Sequence, residues 1–202
     1  MRLYTISIPP GDIEKIIEKV AKAAGPVEAE IRPRKGKLYI VLRGPETVVR
    51  EAWMRIRNAV SELWELYMFN STGRIRADLI AKEIGHTFPV DSLCEALRLR
   101  GYRARALEGG VIEADAPLGL VMELAKRVAE AVEELRFRAR PAARRLIAAV
   151  AAALDAEPDE VVEAGLEEGV LLEDEEGKVV PSGEWRGLVD RLATIIKARR
   201  PA

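Results

Sequence analysis

Glutamine is absent from the chain, asparagine occurs only at Asn58 and Asn70, and there is one cysteine, Cys94, and one histidine, His86. A lone cysteine excludes an internal disulfide. With one histidine and one cysteine, a metal site would have to be built from carboxylates. Neither residue has a partner in sequence that would make a nucleophile or general base. His86 reads as a surface turn residue, and Cys94, between Leu93 and Leu97 on an apolar helix, as a small buried hydrophobe. Phosphate-cradling loops of the Gly-x-x-x-x-Gly-Lys-Ser/Thr or Gly-x-Gly-x-x-Gly kind do not occur. No catalytic residue, metal or cofactor is expected, and the protein is not expected to be an enzyme. Long apolar runs are also missing: the longest, Leu146 to Leu154, is nine residues, about half of what a membrane-spanning helix needs. The opening segment MRLYTISIPP has no apolar stretch of signal-peptide length, so a cytoplasmic location is expected.

Of the 202 residues, 49% are apolar and 32% charged, which excludes a disordered chain and supports a sizeable core. Arg, Glu, Ala, Leu and Val dominate. With the scarcity of amides, this is the bias of a hyperthermophile's protein, in which heat removes labile side chains and favours ion-pair networks. The net charge of −1 hides an asymmetry. Residues 1–145 hold 26 basic and 20 acidic side chains, a balance of +6, whereas residues 146–182 hold Lys178 against 11 acids, a balance of −10. A polyanion would therefore meet the first two thirds of the chain, and a protein partner the acidic region 146–182.

Alternation over Arg2 to Ile8, stopped by Pro9-Pro10-Gly11, predicts a strand. Ile13, Ile16, Ile17, Val20 and Ala21 then mark one face of a helix that Gly25-Pro26 ends. A hairpin follows: Val27, Ala29 and Ile31 alternate with Glu28, Glu30 and Arg32, the turn is Pro33-Arg34-Lys35-Gly36, and Leu38, Ile40 and Leu42 line one face of the return strand. Gly44-Pro45-Glu46 opens a long helix whose stripe is Val49, Ala52, Trp53, Ile56, Val60, Leu63 and Tyr67. Residues 1–70 thus spell a βαββα domain.

The hairpin and long helix recur 72 residues later. Leu38 to Leu63 lies over Gly110 to Leu135 without a gap, with identities that include Ile40/Ile112, Pro45/Pro117, Val49/Val121, Arg55/Arg127, Ala59/Ala131 and Leu63/Leu135. Residues 71–140 are therefore read as a second αββα copy in which an extra helix, Ala77 to Ile84, replaces the first strand. From Pro141 an alanine-rich helix, a break at Asp155, a short helix, a hairpin through Glu175-Glu176-Gly177 and a last helix follow. That is the order of a winged helix-turn-helix, read as an acidic domain over 141–202. The expected fold class is α+β: duplicated (β)αββα units, KH-like or ferredoxin-like, followed by a helical winged-helix-like domain.

Basic residues cluster in three places. Arg32, Arg34, Lys35 and Lys37 crowd the first hairpin turn, and Arg43, Arg50 and Arg57 continue onto the adjoining helix as a phosphate track. Arg103 and Arg105 leave one face of the equivalent strand in the second copy. Arg136 and Arg138, with Arg140, Arg144 and Arg145, follow the second long helix. The opposing reading pairs such arginines with Glu28, Glu30, Glu113 and Asp115. Trp53, Trp64, Tyr67 and Phe69 gather on the first long helix, where they serve either the core or base stacking. The short acidic helix of the third domain, with Asp159, Glu160, Glu163, Glu167 and Glu168, would repel phosphates and is expected to meet protein or this chain's own basic body.

The run Lys37-Leu-Tyr-Ile-Val-Leu-Arg-Gly44-Pro45-Glu46, leading into an alanine-bearing helix, resembles the last strand and helix of KH-type RNA-binding modules. The backbone-clamping Gly-x-x-Gly loop of those modules is absent from both copies. Over its whole length, through the Leu166 to Leu171 segment Leu-Glu-Glu-Gly-Val-Leu, the chain is similar to an uncharacterised archaeal family defined as a domain of unknown function, which implies an archaeal source and no activity. The expectation is a non-catalytic nucleic-acid-binding protein, RNA foremost, or a ribonucleoprotein accessory protein. The alternative is a protein–protein adaptor or homo-oligomeric scaffold.

Overall fold

The structure is a computed structural model that describes residues 1–200. It is mixed α+β: eight helices and small antiparallel sheets among the described residues. The chain divides into two compact units, Met1–Ser71 and the remainder from Thr72.

In the first unit β1 (Arg2–Ser7) leads to α1 (Ile13–Ala24), whose N-terminal amides are capped by the Asp12 carboxylate, accepting from Glu14 N at 3.1 Å. The strands β2 (Glu28–Arg34) and β3 (Lys37–Arg43) and the 27-residue helix α2 (Glu46–Thr72) complete the βαββα order. The sheet order is β1-β3-β2, antiparallel throughout. The expected four-residue turn is only two residues long, because Arg34 pairs with Lys37 across Lys35-Gly36. Pro33 stays in the strand without cost to the ladder, since β2 is an edge and proline has no amide to donate. Leu38, Ile40 and Leu42 of β3 are fully buried, together with Ile16 and Val20 of α1 and Val49, Ala52, Ile56 and Val60 of α2. Each of these strand side chains contributes about 2 kcal/mol by leaving water. Both helices cover that face, and by strand alternation the residues between, Tyr39 and Val41, point the other way.

The second unit begins with β4 (Arg74–Arg76), α3 (Ala77–Ile84), α4 (Val90–Leu99), β5 (Ala104–Leu107), β6 (Val111–Ala114) and α5 (Leu118–Glu134). Its sheet order, β4-β6-β5, repeats that of the first unit, with the hairpin's second strand in the middle. This corrects the reading that a helix replaces the first strand of the second copy. The strand is present, pairing Arg74, Ile75 and Arg76 with Glu113, Ile112 and Val111, and the extra helix follows it. Three residues are too few to show a period of two.

The rest of the unit is α6 (Pro141–Leu154), α7 (Pro158–Glu167), β7 (Leu171–Glu173), β8 (Val179–Pro181) and α8 (Trp185–Arg199). The nine-residue apolar run is the interior helix α6, on which every residue from Leu146 to Ala153 is no more than 3% exposed. A helix apolar on all sides must be surrounded, and α6 packs against α4, α5, α7 and α8. The composition shift at Pro141 therefore lies inside one compact unit, whose core joins Leu135 of α5 to Val161, Leu171 and Val189. Of the range 141–202, the last two residues lie outside the described residues. No helix among the described residues is long and apolar enough to cross a membrane.

Candidate nucleic-acid interface

The open face of the first sheet consists of three rows set by strand register: Leu3–Val41–Glu30, Thr5–Tyr39–Arg32 and Ser7–Lys37–Arg34. Arg43 and Glu28 extend it at one end and the Lys35-Gly36 turn at the other. Arg32 is ion-paired with Glu30, and Arg43 holds Glu28 at 2.6 Å and Glu30 at 3.6 Å. Both acids of this face are therefore occupied. Arg34, Lys35 and Lys37 are exposed and have no ion-pair partner among the described residues. Lys35 has φ 48, a left-handed conformation that Asn, Asp or Gly would adopt at less cost. The two-residue turn requires it, since both central positions, Lys35 and Gly36 at φ 73, take positive φ.

The expected phosphate track does not run on to Arg50 and Arg57. Both are exposed on α2, which packs on the buried side of the sheet, so the helix layer separates them from Arg34 and Lys37. The remaining expected residues, in the second unit, are matched by acids. Arg103 holds Asp115 at 2.9 Å, and Glu113 stands between Arg74 at 2.8 Å and Arg105 at 2.6 Å. Those guanidinium groups hold both carboxyls below the usual carboxylate range. Arg136 pairs with Glu133 at 3.2 Å and Arg138 with Asp159. The pairing acids named by the opposing reading, Glu28, Glu30, Glu113 and Asp115, are all engaged, and Glu133 and Asp159 join them. The likeness in strand order between the two sheets extends to one ion pair. Arg43 and Asp115 are equivalent positions, as are their partners Glu28 and Arg103, so one ion pair recurs with its signs exchanged.

The acids of the C-terminal region are likewise turned onto arginines of this unit. Asp155 meets Arg100 at 2.8 Å and also Arg127, Asp174 meets Arg140 at 2.7 Å, and Asp190 meets Arg98 at 2.9 Å. Asp174 is held below the usual carboxylate range first by the Lys178 backbone amide, then by Arg140. A carboxyl with a depressed folded-state pKa contributes stability above its unfolded value, near pH 4, and loses it as pH falls through the folded value. The melting temperature is thus expected to stay level from pH 7 to 5 and to fall below about pH 4. Asp174→Asn lowers the plateau and makes the acid limb shallower; calorimetry from pH 2 to 7 checks this, and an unchanged limb would contradict it.

The aromatic side chains of α2 are committed elsewhere. Trp53 stacks on Tyr4 at 4.2 Å, and Trp64 donates its indole N–H to the Ser7 carbonyl and meets Tyr67 edge-on. The aromatic on the open face of the first sheet is half-buried Tyr39, which was not among the expected site residues. Its signal was alternation: it sits between the core residues Leu38 and Ile40.

No group of three or more His, Cys, Asp or Glu side chains that can hold a metal occurs among the described residues. Cys94 is buried on α4, and burial, then Asp91 and Glu95, pushes its thiol up to about 11. It should resist Ellman's reagent in the native protein at pH 8 and react on unfolding in guanidinium; rapid native labelling would contradict this placement.

The family profile described as "uncharacterized protein conserved in archaea (DUF2067)" matches residues 9–188. The chain belongs to that family. No curated protein and no solved structure matches this DUF2067 member.

Proposed function

We propose that this DUF2067 protein is a non-catalytic RNA-binding protein of the archaeal cytoplasm, and that its binding surface is the open sheet face and hairpin tip of the first unit. The observation that carries the reading is the cluster Arg34, Lys35 and Lys37: three neighbouring cations without counter-ions among the described residues, in a chain whose other sheet sets Arg74 and Arg105 against Glu113 and Arg76 against Asp78. Unpaired cations have already shed the competition that a phosphate would otherwise face. In this reading the two units carry KH-like βα modules and α6, α7 and the β7–β8 hairpin are a winged-helix-like appendage. The shared strand order and the helix-helix-hairpin sequence support that assignment. The second module and the appendage form one compact unit, braced by the ion pairs of Asp155, Asp174 and Asp190, of the kind that suits a hot-living source.

Binding of fluorescein-labelled RNA, followed by anisotropy over graded salt, tests the reading. A log–log slope near −2 or steeper is expected from three phosphate contacts on a single strand. Absent or salt-independent binding would transfer the case to the adaptor alternative.

A further inference from the structure

Resting on that reading, we infer that the open face of the first sheet is a stacking site for single-stranded nucleic acid, with one base on the ring of Tyr39 and the flanking phosphates on Arg34 and Lys37. Above Tyr39 lies a hollow of about 600 Å³, floored by Leu3, Tyr39 and Val41 and edged by Arg32, Arg34, Arg43 and Glu30. Leu3 is 64% exposed, so the floor is apolar and open. Neither the Tyr39 ring nor its hydroxyl has a partner among the described residues. Every base has a π-face, and an aromatic side chain on an exposed sheet offers it a matching surface, while the phenol hydroxyl can donate to a base or ribose oxygen.

The position of the charges selects this occupant. Lys37 and Arg34 lie one row from Tyr39, about 7 Å along the strands, a step that one extended nucleotide bridges. Of the two acids, Glu30 lines the hollow beside Val41, on the opposite side of Tyr39 from Lys37, and Glu28 lies beyond it; both are held by arginines, Glu30 by Arg32 and Glu28 by Arg43. An apolar peptide would leave the three cations unused, and a duplex keeps its base faces stacked inside and out of reach of the ring. The second sheet serves as an internal comparison. There Val111 stands in the place of Tyr39 and Glu113 in that of Val41, and the row is filled by Arg74, Glu113 and Arg105. Among the described residues, the strands of that face carry neither a ring nor a free cation.

The test measures binding of the full chain to labelled twelve-nucleotide oligo-U, oligo-dT and a twelve-base-pair RNA duplex. Tyr39→Ala is expected to weaken both single strands by about tenfold or more, to leave the duplex unchanged and to preserve the salt slope. Tyr39→Trp retains single-strand binding. Because Tyr39 faces away from the core, the melting temperature of each variant should stay near that of the natural chain. If Tyr39→Ala binds oligo-U as the natural chain does, while the triple Arg34, Lys35 and Lys37 glutamate variant does not, the stacking site is wrong and the RNA reading stands. Equal loss on duplex and single strand also overturns it, since Tyr39 would then act through the fold. If polyglutamate competes as well as oligo-U, the face is one for acidic protein and the stacking site falls. Binding to none of the probes overturns both readings.

Discussion

Changing Arg34, Lys35 and Lys37 together to glutamate is expected to weaken binding of the chain to single-stranded RNA by on the order of 100-fold or more at 0.1 M salt, and to flatten the salt dependence by about 2 in log–log slope. The two numbers come from one cause. Each phosphate neutralised on a single strand releases about 0.7 of a counterion, so three lost contacts remove about 2 from the slope. Reversal, unlike truncation, also places three negative charges where phosphates would sit. The fold should tolerate the change, because all three side chains are exposed and none is in an ion pair among the described residues. Arg103→Glu with Arg105→Glu is the matched control. It reverses two arginines of the other sheet that are bound to Asp115 and Glu113, and it should leave the slope nearly intact. If the control variant loses as much as the triple variant, the second sheet is the binding surface. If neither loses, neither sheet face is the binding surface.

That contrast marks how far the sequence could be read. The inward row Leu38, Ile40 and Leu42 and the outward placement of Arg103 and Arg105 were legible, because a strand's period of two is a local property. Whether an arginine is free or paired is not local. Glu30 neighbours Arg32 along β2 itself, but only the register across β2 and β3 puts Glu28 beside Arg43 while leaving Arg34 opposite Lys37. The same holds for the acids after Leu154. Read along the chain they are a negative block that invites a partner, but folding sets Asp155, Asp159, Asp174 and Asp190 against arginines from Arg98 to Arg140. Arg50 and Arg57 failed as a continuation of the track for a related reason. They follow Arg43 closely in sequence, yet α2 turns back across the buried side of the sheet.

Gly73→Ala tests the strand that the sequence concealed, and it is expected to cost on the order of 3 kcal/mol and to lower the melting temperature by about 10 °C. Gly73 sits between α2 and β4 with φ +67, in the left-handed region, and a Cβ there would lie 2.8 Å from the carbonyl oxygen of Ala114. That oxygen is backbone in the middle strand, so it cannot swing aside as a side-chain tip would. The close approach is itself functional in the sheet, since the Ala114 amide donates to the Gly73 carbonyl at 2.8 Å and extends the β4–β6 ladder by one rung. An alanine must either push β4 off β6 or adopt another φ, and either route loses that hydrogen bond. Gly85→Ala separates the two contributions. Gly85 also has positive φ, at +76, but nothing lies within 4 Å of where its Cβ would stand, so it carries the conformational cost alone, about 1 kcal/mol. Calorimetry should therefore rank the variants with Gly73→Ala well below Gly85→Ala. Equal losses would mean that β4 is not packed against β6 at this point, and the second copy would then lack the first strand that makes the two sheets alike.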